Sequence, residues 1–386
     1  MLWHNNISIM IMDKIKYIRQ KYPIPDNEIC FPYLEKVFKQ FQKTLIIPSS
    51  SSSKNTDIDI NAEFIAEYPL ISLVDLPKSI NDTTYGKEMA LITKKREYKF
   101  SFGQSKIKIY ITIYHKNGDS AVKKILTEII RRISIIYQLF GVNEELHLFI
   151  LLTDFPRYIF PTSGNAKTRM TTWRKQYATN ISSGITVKNK NKNIKFIFLT
   201  RREEIEKLLI HELIHFLDID QCSEIGGPTM RYYINTGYLH MEKNTKIIEY
   251  EIFTEMLSVV FNAMFLSSNI SEFRNLLKYE ILWGLYQSFK LFIFVGENNI
   301  YYQDRCMLEY IFLRTILLIN INQLRGDFLN DKDPNLYDNI YFIIMNYLKN
   351  KNKNNYLIKF YKKTKIIIEN GHTSDYFIRS MAYSIK

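Results

Sequence analysis

Three residues in one short stretch could do chemistry together: His211, Glu212 and His215, in the run LLIHELIHFLD at positions 208–218. Side chains four apart on an α-helix leave it on one face, so both imidazoles can reach a single ion. Zinc suits such a pair, at nitrogen–metal distances of about 2.0–2.1 Å. Glu212, beside the first imidazole, can take a proton from a water held there. The flanking Leu208, Leu209, Ile210, Leu213, Ile214, Phe216 and Leu217 are apolar, so the two imidazoles and the carboxylate are the polar side chains of a buried helix. Burying three ionisable groups without partners is costly, which argues for a metal over a surface helix with two incidental histidines.

Two imidazoles leave a catalytic zinc site one protein ligand short. Gly and His three and six residues beyond the second imidazole would mark a metzincin; Asp218 and Gln221 stand there and exclude that class. Glu251 and Glu255 stand four apart in EIFTEMLSVVFNAMF, a segment with no other charge. Two carboxylates buried on one helical face repel unless cations or donors hold them. A zinc ion on Glu251, with Glu255 accepting the second N–H of a ligand imidazole, resolves that repulsion. Glu249, on another face, and His240 are competing ligands. Asp218, close to one turn past His215, is also placed to orient an imidazole. The oxyanion of a hydrolytic transition state needs a donor besides the metal. His240, Tyr232, Tyr233 and Arg231, between the two helices, are the candidates.

These side chains need elements to position them. IKIYITIYHK (107–116) alternates as a strand does and ends at an Asn117-Gly118-Asp119 turn. Residues 119–140 carry helical apolar spacing, with Asp119 or Ser120 as N-cap, and HLFILLTDF (147–155) reads as a buried strand. A polar segment from Pro156 through NISSGITV separates it from a further strand, IKFIFLT (194–200). Thr200 and Glu203 in T-R-R-E form a capping box that would start the motif helix. QCSEIGGPTMRYYINTGYL (221–239) reads as a loop, 247–266 as a strong helix, and the chain from 271 onward as mainly helical. Before all this, helical spacing is interrupted at Pro23, Pro25 and Pro32 and resumes at Leu34, while PSSSSSKN (48–55) reads as a low-complexity linker.

Composition narrows the class. At 386 residues, 46% hydrophobic and 24% charged, the chain belongs with globular proteins. Lys and Arg number 52 against 39 Asp and Glu, so 52 − 39 = +13, which favours acidic partners through a basic surface. The lysines are scattered among Asn and Ile, as AT-rich coding would leave them, and do not specifically indicate nucleic acid. Three isolated cysteines (Cys30, Cys222, Cys306) give no disulfide framework and no cysteine-type zinc site. The N-terminal run shows no secretory signal, and 281–296, the nearest thing to a membrane span, carries Lys290. Cytoplasmic or virion-associated localisation, with no membrane span, is the expectation.

HELIH followed by E-I-F-T-E resembles the gluzincin pattern, in which HExxH is completed by a glutamate on a following helix. The separation, 251 − 215 = 36, lies within that varied group's range. The resemblance implies His211, His215 and Glu251 as ligands of one Zn2+ ion, Glu212 as general base and Glu255 as an orienting carboxylate. It also implies an α+β, zincin-like fold: a small mixed sheet with an edge strand, IKFIFLT, before the HExxH helix, then a mainly helical C-terminal subdomain. TDFPR, NISSGIT and RREEIEKLLIHELIH are also similar to uncharacterised HExxH proteins of large DNA viruses. The domain expectation is 1–95 of unclear role, 96–220 carrying the sheet and motif helix, and 221–386 carrying the third ligand. The functional expectation is a zinc metallopeptidase acting on a polypeptide substrate, with Strand 194–199 holding that substrate extended. The alternatives are a zincin-fold structural or binding protein, such as a viral component with non-catalytic zinc, and a metal-dependent hydrolase of another bond.

Overall fold

Alternating isoleucines make Ile107–Lys116 (β3) the centre of a sheet: Ile109, Ile111 and Ile113 point to one side and are at most 1% exposed. The computed structural model describes residues 32–43, 48–57, 90–102, 107–154, 184–189, 194–200, 202, 204–220, 227–238, 240–241, 246–295, 306–324, 336–349, 362 and 365–366. Among these, the chain is α+β, with six strands in one mixed sheet and eight α-helices. It divides into two units. The sheet unit comprises Lys39–Pro156 and Thr171–Ile219, and the helical unit Met1–Phe38, Arg157–Met170 and Asp220–Lys386.

In the sheet unit the strands are β1 (Pro48–Asp57), β2 (Ile92–Phe102), β3, β4 (Leu146–Leu151), β5 (Gly184–Asn189) and β6 (Ile194–Leu199), in spatial order β1-β2-β3-β4-β6-β5. β1, β2 and β3 are antiparallel, β3, β4 and β6 parallel, and β5 runs antiparallel to β6. Parallel strands need a crossover. Between β3 and β4 it is helix α2 (Val122–Phe140), which buries Val122, Ile125, Ile129, Ile133 and Ile136 at helical spacing. It ends at Gly141, whose φ of 62° suits a residue without a Cβ. The motif helix, α3 (Ile205–Phe216), packs against α2, β5 and β6.

The helical unit holds α4 (Gly227–Gly237), α5 (Glu249–Leu266), α6 (Ile270–Val295), a π-helical turn (Glu309–Leu313) leading into α7 (Arg314–Ile319), and α8 (Leu336–Lys349). The apolar circumference of α5 is explained by burial, since residues 252–265 are all buried. α5 packs on α6, the π-turn, α7 and α8. A Cβ built on Gly284 of α6 would lie 2.0 Å from Thr315 Oγ1, so this approach requires glycine. The start of α1 (Pro32–Lys43) belongs here too, with Pro32 at the first helical position and Phe38 stacked on Phe273 at 5.1 Å. No described helix is long and apolar enough to cross a membrane.

Four sequence expectations are corrected. IKFIFLT is not an edge strand: β6 lies between β4 and β5, and GITVKN, expected within a polar connection, forms the edge. The β5–β6 pairing is made by backbone groups, which side-chain polarity does not report. The serine run is likewise strand, the opposite edge, paired antiparallel to β2 from Ser50↔Ser101 to Asp57↔Lys94. Gly227–Gly237 is a helix and not a loop; Pro228 in its first turn starts the helix instead of breaking it. Nor does the motif helix start from Thr200. The helix begins at Ile205, after Glu204 at φ 59° and without a side-chain cap. Glu203 lies outside the described residues, as do 13–31 at the N-terminus.

Candidate metal and catalytic centre

On α3 the i, i+4 spacing brings the two imidazoles together. The Nε2 atoms of His211 and His215 stand 3.1 Å apart, their rings nearly perpendicular at 80°. Two nitrogens bound tetrahedrally to one zinc stand ~3.3 Å apart, so the pair has the separation that one ion would require. The helix is pinned on its apolar side, where Leu209, Ile210, Leu213, Ile214 and Phe216 are 0% exposed. His211 is buried and His215 half-buried.

Glu212, 4% exposed, is clasped by the edge strand. Thr186 Oγ1 lies 2.8 Å from Glu212 Oε2 and 2.9 Å from the Glu212 backbone oxygen, in position to donate to either. Gly184 adjoins the other carboxylate oxygen: a Cβ built there would meet Oε1 at 2.7 Å and Cγ at 2.9 Å. The absence of a side chain at 184 is therefore what gives the Glu212 carboxylate its room. Both residues lie in the NISSGIT run, but the sequence alone assigns neither a role at Glu212. Thr186 and Glu212 are 26 positions apart, and only β5 beside α3 makes them neighbours.

Ion pairs fix the surroundings of α3. Arg202 ties its guanidinium to Asp119, after the β3 turn, and to Asp154 at 2.9 Å, after β4; its N–H donates to the Thr153 carbonyl. These bonds use the residues between β6 and α3, where the capping box was expected. Burial pushes the Asp119 carboxyl up, but hydrogen bonding and charge from Arg202 outweigh it, leaving the group below its ordinary value. On α2, buried Arg132 pairs with Glu128 at 2.5 Å. Glu206, in the first turn of α3, is pushed up by burial, and the Arg132 charge opposes that shift. Asp218, at φ 54° just past α3, has its carboxylate taken up by Lys195 of β6.

The helical unit carries the carboxylates of the sequence pattern. Glu249 and Glu251 lie in the first turn of α5, where the helix dipole favours negative charge. Glu249 is 4% exposed, Glu255 1% exposed, and Glu251 half-buried. Thr254, between them, donates to Asp220 Oδ2 at 2.9 Å, and the Ile248 N–H donates to Glu309 Oε1 at 2.8 Å. Of the oxyanion candidates, Arg231, Tyr232 and Tyr233 sit on α4. Tyr232 is 61% exposed, and the Tyr233 ring lies under Lys349 Nζ at 5.6 Å. His240 is exposed, beyond the end of that helix.

The chain is 26% identical over 337 residues to an uncharacterised protein of Acanthamoeba polyphaga mimivirus, covering 73% of this chain and 84% of that one. No family model matches, and no solved structure matches. The chain thus has a viral homologue, one that carries no assigned activity.

Proposed function

We propose that this protein is a zinc-dependent metallopeptidase of gluzincin type, with His211, His215 and Glu251 as metal ligands and Glu212 as general base. The observation that carries the reading is the convergence of the two imidazole Nε2 atoms at 3.1 Å beside a buried, oriented carboxylate. A purely structural metal site has no use for that carboxylate. One nitrogen from each imidazole and one oxygen from Glu251 would make up the proposed donor set. Two imidazoles and a carboxylate leave room in a tetrahedral shell, as a catalytic zinc site needs.

A bound zinc ion would supply Lewis acidity and lower the pKa of a coordinated water towards ~7. The protein's own part is to move a proton. Glu212 takes it from the attacking water as oxygen adds to the peptide carbonyl carbon, then returns it to the amine nitrogen as the carbon–nitrogen bond breaks. Thr186, on one carboxylate oxygen, sets the rotamer in which the other oxygen does this work. Glu255 is proposed to accept the second N–H of a ligand imidazole. β5, as the edge strand on the α3 side of the sheet, is the strand along which an extended polypeptide would add, a role first expected of β6.

Zinc analysis by mass spectrometry, coupled to a peptide-library digest, tests the reading. Wild type and Glu212→Gln should each hold about one zinc, and only wild type should cut peptides. Wild-type protein that holds no zinc after refolding with the metal would sink the proposal and favour a binding or structural role.

A further inference from the structure

Helix α5 starts from a residue, Ile248, whose side chain cannot cap it. The N-cap residue adopts φ −108° and ψ 105°, and an isoleucine has no oxygen to offer the exposed N–H groups of the first turn. Counting from the cap, Glu249 is the first helical residue and Glu251 the third. A glutamate at the third position ordinarily reaches back to bond the N–H of the cap residue, the second half of a capping box. That N–H is already taken. It donates to Oε1 of Glu309 at 2.8 Å, from a π-turn 61 residues away in sequence. Glu309 is 0% exposed, and the π-turn packs directly on α5. A π-turn adds one residue to a helical circuit and so re-aims the side chains it carries.

We infer that Glu309 is a positioning residue for Glu251: by capping the Ile248 N–H itself, it relieves Glu251 of the capping role and leaves that carboxylate to the metal. The inference rests on the zinc reading above. Removing the Glu309 carboxylate would let Glu251 fold back onto the Ile248 N–H and withdraw from the ligand set.

Zinc dissociation constants, measured by competition with a chromophoric chelator, test this alongside thermal melts of the metal-free proteins. Glu309→Ala should weaken zinc binding by at least ~10-fold, as loss of a group orienting a ligand does. Glu309→Gln, which keeps an acceptor oxygen, should stay within ~3-fold of wild type on the same scale. Ser267→Ala, which removes a 2.7 Å hydrogen bond to the Ala263 carbonyl at the far end of α5, should leave zinc affinity unchanged even if it lowers the melting temperature. In the Glu251→Ala background, Glu309→Ala should cost no further affinity, because its effect runs through Glu251. Should Glu309→Ala fail to fold, Glu309→Asp, which withdraws the carboxylate by one methylene, should show a smaller loss. Wild-type affinity in whichever of these two folds overturns the inference while the zinc reading stands. No zinc in wild type, or full affinity in Glu251→Ala, overturns the ligand assignment itself and the inference with it.

Discussion

The two units hold their chemical groups in different ways. In the sheet unit, each important side chain has a named partner brought from far along the chain: Thr186 on Glu212, and Arg202 on Asp119 and Asp154. In the helical unit, the carboxylates of α5 depend on where a helix starts, and that start is set by one backbone hydrogen bond to Glu309. Side-chain clasps fix a rotamer, whereas a helix cap fixes the register of a whole turn. On the proposed reading, Glu212 has to keep moving a proton and gains from the first device. On the same reading, Glu251 only has to stand in place and gains from the second.

The largest effects should come from breaking the imidazole pair. His215→Ala should lose its zinc outright, as read by mass spectrometry of the native protein, while retained stoichiometric zinc would remove this pair from the site. Next comes Glu212→Gln, which should keep zinc and lose about 10²–10⁴-fold in peptide hydrolysis, the usual contribution of a general base. Equal turnover in that variant would mean the base lies elsewhere.

The clasp itself gives a sharper comparison. Thr186→Val should lower kcat by about 10-fold with zinc content unchanged, and Thr186→Ser should restore it, since the hydroxyl is what Glu212 uses. A Gly184→Ala variant should behave like Thr186→Val, because the new methyl would press on the carboxylate at 2.7 Å. Unaltered kcat in both variants would mean that the edge strand does not orient the base.

The ion cluster should affect stability more than chemistry. Arg202→Leu leaves Asp119 and Asp154 without their guanidinium and should cost about 3 kcal/mol in urea unfolding. The pH dependence follows from the sign of the shift. The Asp119 carboxyl is depressed in the folded state, so its contribution is present above the ordinary carboxylate value of ~4. It is lost as pH falls through the lowered folded value. The urea midpoint should therefore fall more steeply on acidification in wild type than in Asp119→Asn, and parallel profiles would refute the pairing.

Sequence alone determined the parts whose physics is local. Isoleucine alternation placed β3, apolar spacing placed α2 and α5, and the four-residue step in HELIH put two imidazoles on one helical face. Tertiary structure decided whatever depended on backbone pairing or distant neighbours. GITVKN, not IKFIFLT, is the sheet edge, because strand order is set by hydrogen bonds that composition does not encode. PSSSSSKN is strand for the same reason: β2 offers it an unpaired row of N–H and C=O groups, and serine does not resist extension. Thr186, Gly184 and Glu309 could not be picked out from a chain of 386 residues, because their partners lie 26, 28 and 61 positions away. Spacing along a helix fixes an angle, but only packing brings distant segments of chain into contact.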